Sequence, residues 1–185
     1  METGTLIQPL QYRREVVPAD RETVRQIVAS SGFFSSEEIE IAVELVDERL
    51  AKDDRSGYYF IFVENCGRPV GYSCYGPIGG TEASFNLYWI AVHDHFRGQG
   101  IGRELLRMTE EAIGLMGGKR IYLETSSREQ YRSTKEFYLR RGYTEEAVLS
   151  QFYSDTDSKV IYIKVLERER GRVQNKRQSA EVGSK

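Results

Sequence analysis

Cysteine is scarce: Cys66 and Cys74 are the only two in 185 residues, and neither sits in a Cys-x-x-Cys or Cys/His ligand spacing. A disulfide framework is thereby excluded, and no metal site is expected. No stretch approaches the roughly 18 consecutive apolar residues that a membrane span needs. Met1 to Gln11 has no basic start followed by an apolar run, so no secretory signal is expected and a cytoplasmic location is. Internal repeats are absent, and so is an excess of positive charge. The formal net charge is −2; from Glu167 onward the chain carries six basic and three acidic residues, which leaves the body at −5. A bulk electrostatic grip on nucleic acid needs a basic face on the folded part, and this body offers none. Neither nucleic acid nor membrane is an expected partner.

What is present is an ordinary globular composition, with 39% apolar residues, 29% charged residues, 8 Phe and 12 Tyr. One compact domain with a tail follows. Tyr12 to Val17 reads as a short strand, and Pro18-Ala19-Asp20 opens a helix through Val24, Ile27 and Val28. Ser35-Ser36-Glu37-Glu38 supplies a cap and first-turn carboxylates for a second helix carrying Ile39, Val43, Val46 and Leu50. Tyr58 to Glu64 and Pro69 to Tyr75 flank Asn65-Cys66-Gly67-Arg68 as a hairpin. Ser84 to Val92 is a strong strand, followed by a helix from Ile101 to Met116 that Gly117-Gly118 ends. Arg120 to Thr125 is a strand, Glu129 to Arg141 a helix stopped by Gly142, and Phe152–Tyr153 with Val160 to Val165 a final pair of strands. From Glu167 the apolar residues run out and disorder is expected. The order β-α-α-β-β-β-α-β-α-β-β predicts a layered α/β (α+β) fold.

The sharpest feature is Arg97-Gly98-Gln99-Gly100-Ile101-Gly102-Arg103, at the junction of a strand and an amphipathic helix. Alternate glycines let backbone approach a ligand closely, and the helix start offers N–H groups and a positive dipole end to phosphate oxygens. Two phosphate motifs fail here. A dinucleotide fingerprint counted from Gly98 finds Arg103 where its third glycine belongs, and Gly118-Lys119 is followed by Arg120 where a triphosphate loop has Ser or Thr.

Leu87 to Val92 leading into Arg97–Gly102 resembles the strand and pyrophosphate loop of the GNAT superfamily of acetyl-CoA-dependent N-acetyltransferases. Phe137-Tyr138-Leu139-Arg140-Arg141-Gly142-Tyr143 is similar to that family's later helix, where a Tyr stands four residues before Gly-Tyr. The resemblance spans Tyr12 to Leu166. It implies a mixed central sheet whose fourth and fifth strands splay, with helices on both faces. The domain then runs over residues 12–166, between an N-terminal extension (1–11) and a basic tail (167–185). It further implies acetyl-CoA as co-substrate: the backbone of Ile90, Ala91 and Val92 would pair with the pantetheine arm, and Gly98, Gln99, Gly100, Ile101, Gly102 and Arg103 would bind the pyrophosphate, with Arg97 and Arg103 beside the phosphates. Tyr138 would protonate the departing thiolate. A phenol with a pKa near 10 suits a thiolate of similar basicity. By spacing alone Tyr138 also reads as a core aromatic.

Many members have an Asn early in the later helix; here Tyr131-Arg132-Ser133-Thr134 stands instead, and the hydroxyl of Ser133 or Thr134 would reach the cofactor arm. The acceptor amine must be neutral to attack, so a base or water chain is useful. Glu124 resembles the proposed base of the ribosomal-protein N-terminal acetyltransferases, although the segment from Glu124 to Tyr138 is about two residues longer here. Glu82, Tyr88 and His93 are rivals, and a strand Glu also reads as a salt-bridged surface group. Neither cysteine has a partner base, so direct transfer in a ternary complex is expected. Glu37 to Asp54 carries eight acidic residues against Arg49 and Lys52. Because the resemblance puts this segment beside the acceptor cleft, a small cationic amine or a peptide N-terminus is the expected acceptor. A non-catalytic acyl-CoA-binding regulatory module is the alternative, and a homodimer is compatible with either.

Overall fold

The structure, a computed structural model, describes residues 9–166; most of the N-terminal extension and the basic tail from Glu167 lie outside the described residues. The chain forms β1 (Gln11–Arg13), α1 (Asp20–Ala29), α2 (Ser36–Lys52), β2 (Tyr59–Asn65), β3 (Arg68–Pro77), β4 (Ser84–Val92), α3 (Ile101–Leu115), β5 (Arg120–Ser126), α4 (Arg132–Leu139), β6 (Thr144–Ser154) and β7 (Asp157–Val165). This is the expected element order. The strands make one sheet in the order β1-β2-β3-β4-β5-β7-β6, with β4 and β5 parallel and every other pair antiparallel. Among the described residues no helix is long and apolar enough to cross a membrane.

Strand alternation sorts the apolar residues onto two faces. On one, Val24, Ile27 and Val28 of α1 and Ala42, Val43 and Val46 of α2 pack against Phe60, Phe62, Tyr72 and Cys74. On the other, Ile101, Leu105, Leu106 and Ile113 of α3 and Tyr138 of α4 pack against Ile61, Phe85, Ile121, Leu123, Val160 and Tyr162. The sheet is thus covered on both sides, as the fold class requires.

Local chemistry sets the boundaries. Ser35 accepts the Glu38 N–H at 3.2 Å while the Glu38 carboxylate accepts the Ser35 N–H at 2.8 Å, the reciprocal cap expected at the start of α2. The first strand is shorter than the sequence suggests. The buried Asp20 carboxylate accepts the Val17 N–H at 2.8 Å and two Arg13 bonds at 2.8 and 2.9 Å, so the chain after Arg13 turns inward. The helix expected from Glu129 divides into a 3-10 turn (Glu129–Tyr131) and α4. The last strand pair was expected to begin near Phe152, whereas β6 runs from Thr144 and is exposed along nearly its whole length. Its sequence hides it, because an edge strand needs only backbone pairing on one side and its apolar residues fall in two runs, Ala147-Val148-Leu149 and Phe152-Tyr153, instead of alternating.

One buried polar contact fixes α3 to the sheet. Thr109 donates to the Leu105 carbonyl at 2.8 Å, so the Ser73 hydroxyl, 2.8 Å away, donates to the Thr109 oxygen. Both residues are fully buried. Replacing Thr109 by Val keeps the shape and strands the Ser73 hydroxyl. The expected cost is about 1–3 kcal/mol, read as a lowered urea midpoint with an unchanged slope.

Candidate active site

The parallel ladder between β4 and β5 is short. It holds Ser84↔Arg120, Phe85↔Ile121 and Asn86↔Tyr122 and then stops, while β4 continues to Val92 and β5 to Ser126. Each strand keeps its outer partner. β4 follows β3 to Gly71↔Val92, and β5 follows β7 to Ser126↔Lys159. The sheet therefore opens into a V whose inner edges have no strand to pair with. A bulge supplies the bend: Cys74 pairs with Trp89 and Tyr75 with Leu87, leaving Tyr88 as the extra residue on β4. Ile90, Ala91 and Val92 lie on this free inner edge.

The glycine loop stands at the mouth of the V. Gly98 and Gly100 have φ of +76° and +81°, in the left-handed region, and a Cβ added to either would meet nothing within 4 Å. Gly100 is the N-cap of α3 and no side chain caps the helix, so its first N–H groups face open space. Gln99 stands between the two left-handed glycines, and Ile101 is buried beneath them. A Cβ at Gly102 would sit 3.7 Å from Val92, an ordinary contact. Arg103 is exposed in the first turn of α3. Arg97 instead turns back, with Nε 3.4 Å from the Val92 carbonyl, a 3.5 Å ion pair to Asp94 and its guanidinium 5.6 Å from the Phe33 ring centroid. Ser133 is exposed in the first turn of α4.

Tyr138 and Glu124 fall on opposite faces of the sheet. Tyr138 is buried among Phe137, Tyr143 and Tyr162 on the α3/α4 face, with ring centroids at 5.3, 5.5 and 6.2 Å. Burial pushes its phenol well above the ordinary value, which favours the protonated form. Leu123 packs with α3 and α4, so its neighbour Glu124 projects to the α1/α2 face. There it is half exposed and pairs with Lys159 at 2.6 Å. The rivals for the base divide. Glu82 pairs with Lys119 at 3.2 Å, next to the start of β5 and at the far end of β4 from the glycine loop. His93 accepts the His95 N–H at 3.3 Å through Nδ1 and so braces the turn after β4, and burial, followed by His95, pulls its pKa down. Tyr88 is at the bulge, its pKa raised by burial. Burial also pushes the Cys74 thiol well up, which disfavours a nucleophilic thiolate.

Two features escape the sequence. The connection between α1 and α2 bridges the V. Ser30 accepts the Asp94 N–H at 3.0 Å, Phe34 packs on Trp89 at 5.0 Å, and Phe33 and Phe34 reach Tyr131 on the far arm at 5.9 and 6.4 Å. And the acidity of α2 is largely spent: Asp47 and Glu40 pair with Arg21 and Arg25 of α1, Glu48 with Lys52, and Asp53 and Asp54 with Arg49. Among the described residues no group of three His, Cys, Asp or Glu could hold a metal ion.

A split sheet with a glycine cradle at its mouth has counterparts among known proteins. Residues 55–145 match the family described as the acetyltransferase (GNAT) domain. A crystal structure assigned to GNAT acetyltransferases, from Desulfovibrio desulfuricans, is 43% identical with a TM-score of 0.81, covering 85% of this chain and 99% of that one. An uncharacterized N-acetyltransferase of Escherichia coli K12, YjgM, is 29% identical over 114 residues, 60% of this chain and 66% of its own. A GNAT acetyltransferase from Elizabethkingia anophelis with acetyl-CoA bound shares the fold at 15% identity and a TM-score of 0.62, covering 85% of this chain and 98% of that one. With 43% identity and a TM-score of 0.81 sustained across nearly the full length of one such protein, this chain belongs to the GNAT family of acetyltransferases.

Proposed function

We propose that the protein transfers an acetyl group from acetyl-CoA directly to a primary amine, a small cationic amine or a peptide N-terminus, in a ternary complex. The observation that carries this is the slot between β4 and β5, with a buried phenol on one face and a carboxylate on the other. When bound, the coenzyme supplies an activated acetyl thioester. The free edge of Ile90, Ala91 and Val92 suits an extended amide-bearing arm, and the N–H groups from Gly98 to Arg103 suit a pyrophosphate. Arg103 is the exposed cation we assign to them, whereas Arg97 is held by Asp94 and Val92. Ser133, exposed in the first turn of α4, is the hydroxyl we assign to the arm.

Tyr138 is suited to be the acid. Its raised pKa keeps the phenolic proton in place through neutral pH, available to a departing thiolate. Glu124 is suited to be the base through Oε1, since Oε2 is held by Lys159. That same ion pair is the one observation favouring a non-catalytic acyl-CoA-binding role, because it occupies one oxygen of the carboxylate that would take the acceptor's proton. Coenzyme release in the presence of an amine panel separates the two.

Gly100→Val tests the cradle. The side chain enters open space, so the fold loses only the strain of a β-branched residue at positive φ, about 1–2 kcal/mol. Acetyl-CoA binding by calorimetry is expected to be lost in the folded variant; unchanged affinity refutes the cradle.

Tyr138→Phe tests the acid. We expect kcat to fall about a hundredfold with coenzyme affinity nearly intact, because only the proton donor is removed. Wild-type turnover would make Tyr138 a packing residue.

A further inference from the structure

Lys159 draws no notice in the sequence, yet its ammonium is held from two sides, by a carboxylate and by aromatic rings. It lies 2.6 Å from Glu124 Oε2, 3.8 Å from the Phe152 ring centroid and 5.7 Å from that of Tyr153. Its side chain is only 15% exposed, while Glu124, Phe152 and Tyr153 around it are each about half exposed. The lysine is what fills this cage; without it the three walls would open to solvent.

The cage exists because β6 carries surplus chain. Leu149 pairs with Lys159 and Ser154 with Asp157, so residues 150–153 stand opposite Ser158 alone. Gln151 takes a left-handed φ of +56°, with its N–H donating to Ser158 Oγ at 3.1 Å and its side-chain amide to the Asp155 carbonyl at 3.3 Å. This bulge folds Phe152 and Tyr153, packed edge to face at 5.0 Å, back over the sheet. Neighbouring charges are otherwise engaged. Asp157 accepts from Ser126 and Ser127 and pairs with Arg128, and Glu38 is committed to the cap of α2.

A carboxylate on one side and an aromatic face on the other is a seat for a primary alkylammonium. A seat at Oε2, where Lys159 now sits, holds its guest in the charged form, which cannot attack a thioester. It therefore suits a cationic group of the acceptor other than the reacting amine, which is left to Oε1. We propose that the acceptor is an alkyl chain bearing two or more ammonium groups, that one of them takes the Glu124–Phe152–Tyr153 cage, and that Lys159 is a built-in occupant it must displace. This rests on the acetyl-transfer reading above, and it makes Lys159 a specificity-determining residue that never touches the reacting atoms.

The test is calorimetric titration of 1,5-diaminopentane into the full-length protein with coenzyme A present. Lys159→Met is expected to bind the diamine about fivefold more tightly than wild type, the order expected when one ion pair and one cation–π contact pass from the lysine to the ligand. Adding Phe152→Leu, at a half-exposed ring, should remove that gain. 1-Aminopentane, whose single amine must be the reacting one, should show a smaller gain in kcat/KM than the diamine. Lys159→Gln serves if the Met variant melts early. No gain in affinity on removing Lys159, a gain indifferent to Phe152, or an equal gain for the monoamine overturns the proposal. Tight diamine binding without coenzyme release with any amine would leave the cage standing and overturn the transfer reading instead.

Discussion

The parting of β4 from β5 after three paired residues is the constraint on which the rest of the molecule depends. A parallel pair that continued to Val92 and Ser126 would leave no free backbone in the sheet and no passage through it. The split is stable because each strand retains its outer neighbour, so β4 and β5 lose ladder partners on the inner edge of the V and keep them on the outer one. A single surplus residue, Tyr88, sets the bend. The surrounding core tolerates it because Trp89 turns to meet Phe34 and Leu87 stays within the α3/α4 cluster.

Two faces of one sheet do different work around that gap. The α3/α4 face is dry and aromatic, and Ser73 and Thr109 hold α3 to β3, the outer partner of β4. The α1/α2 face is wet and charged beyond β5, where neither helix covers Glu124 or β6. Low dielectric on one side favours a neutral phenol, and solvent on the other favours a carboxylate. The two candidate proton carriers thus differ by environment before any substrate is considered.

Much of this was legible in the sequence, because it is written locally. Ser84 to Val92 reads as a strand and is one, and three glycines at alternate positions read as a loop open to close backbone approach, where Gly98 and Gly100 take positive φ. The Ser35/Glu38 cap was equally plain. What stayed hidden depends on residues far apart in the chain. The Phe33 and Phe34 bridge joins residues about a hundred positions from Tyr131, the Lys159–Glu124 pair is a diagonal across β7 and β5, and the charge of α2 is offset from another helix. Composition counts such charges without showing which are already paired. The early start of β6 escaped because its apolar residues come in runs and carry no period-two signal to read.

The surplus chain in β6 has an evolutionary side. β6 is the outermost strand of the sheet, so lengthening or shortening residues 150–153 displaces no neighbour and changes no register elsewhere. The thermodynamic penalty is that of loop closure, about 0.6 kcal/mol for each doubling of length. The half of the molecule that bears the glycine cradle enjoys no such latitude, since β4 is hemmed in by β3 and α3. The wet edge can therefore change in length while the cradle stays unaltered.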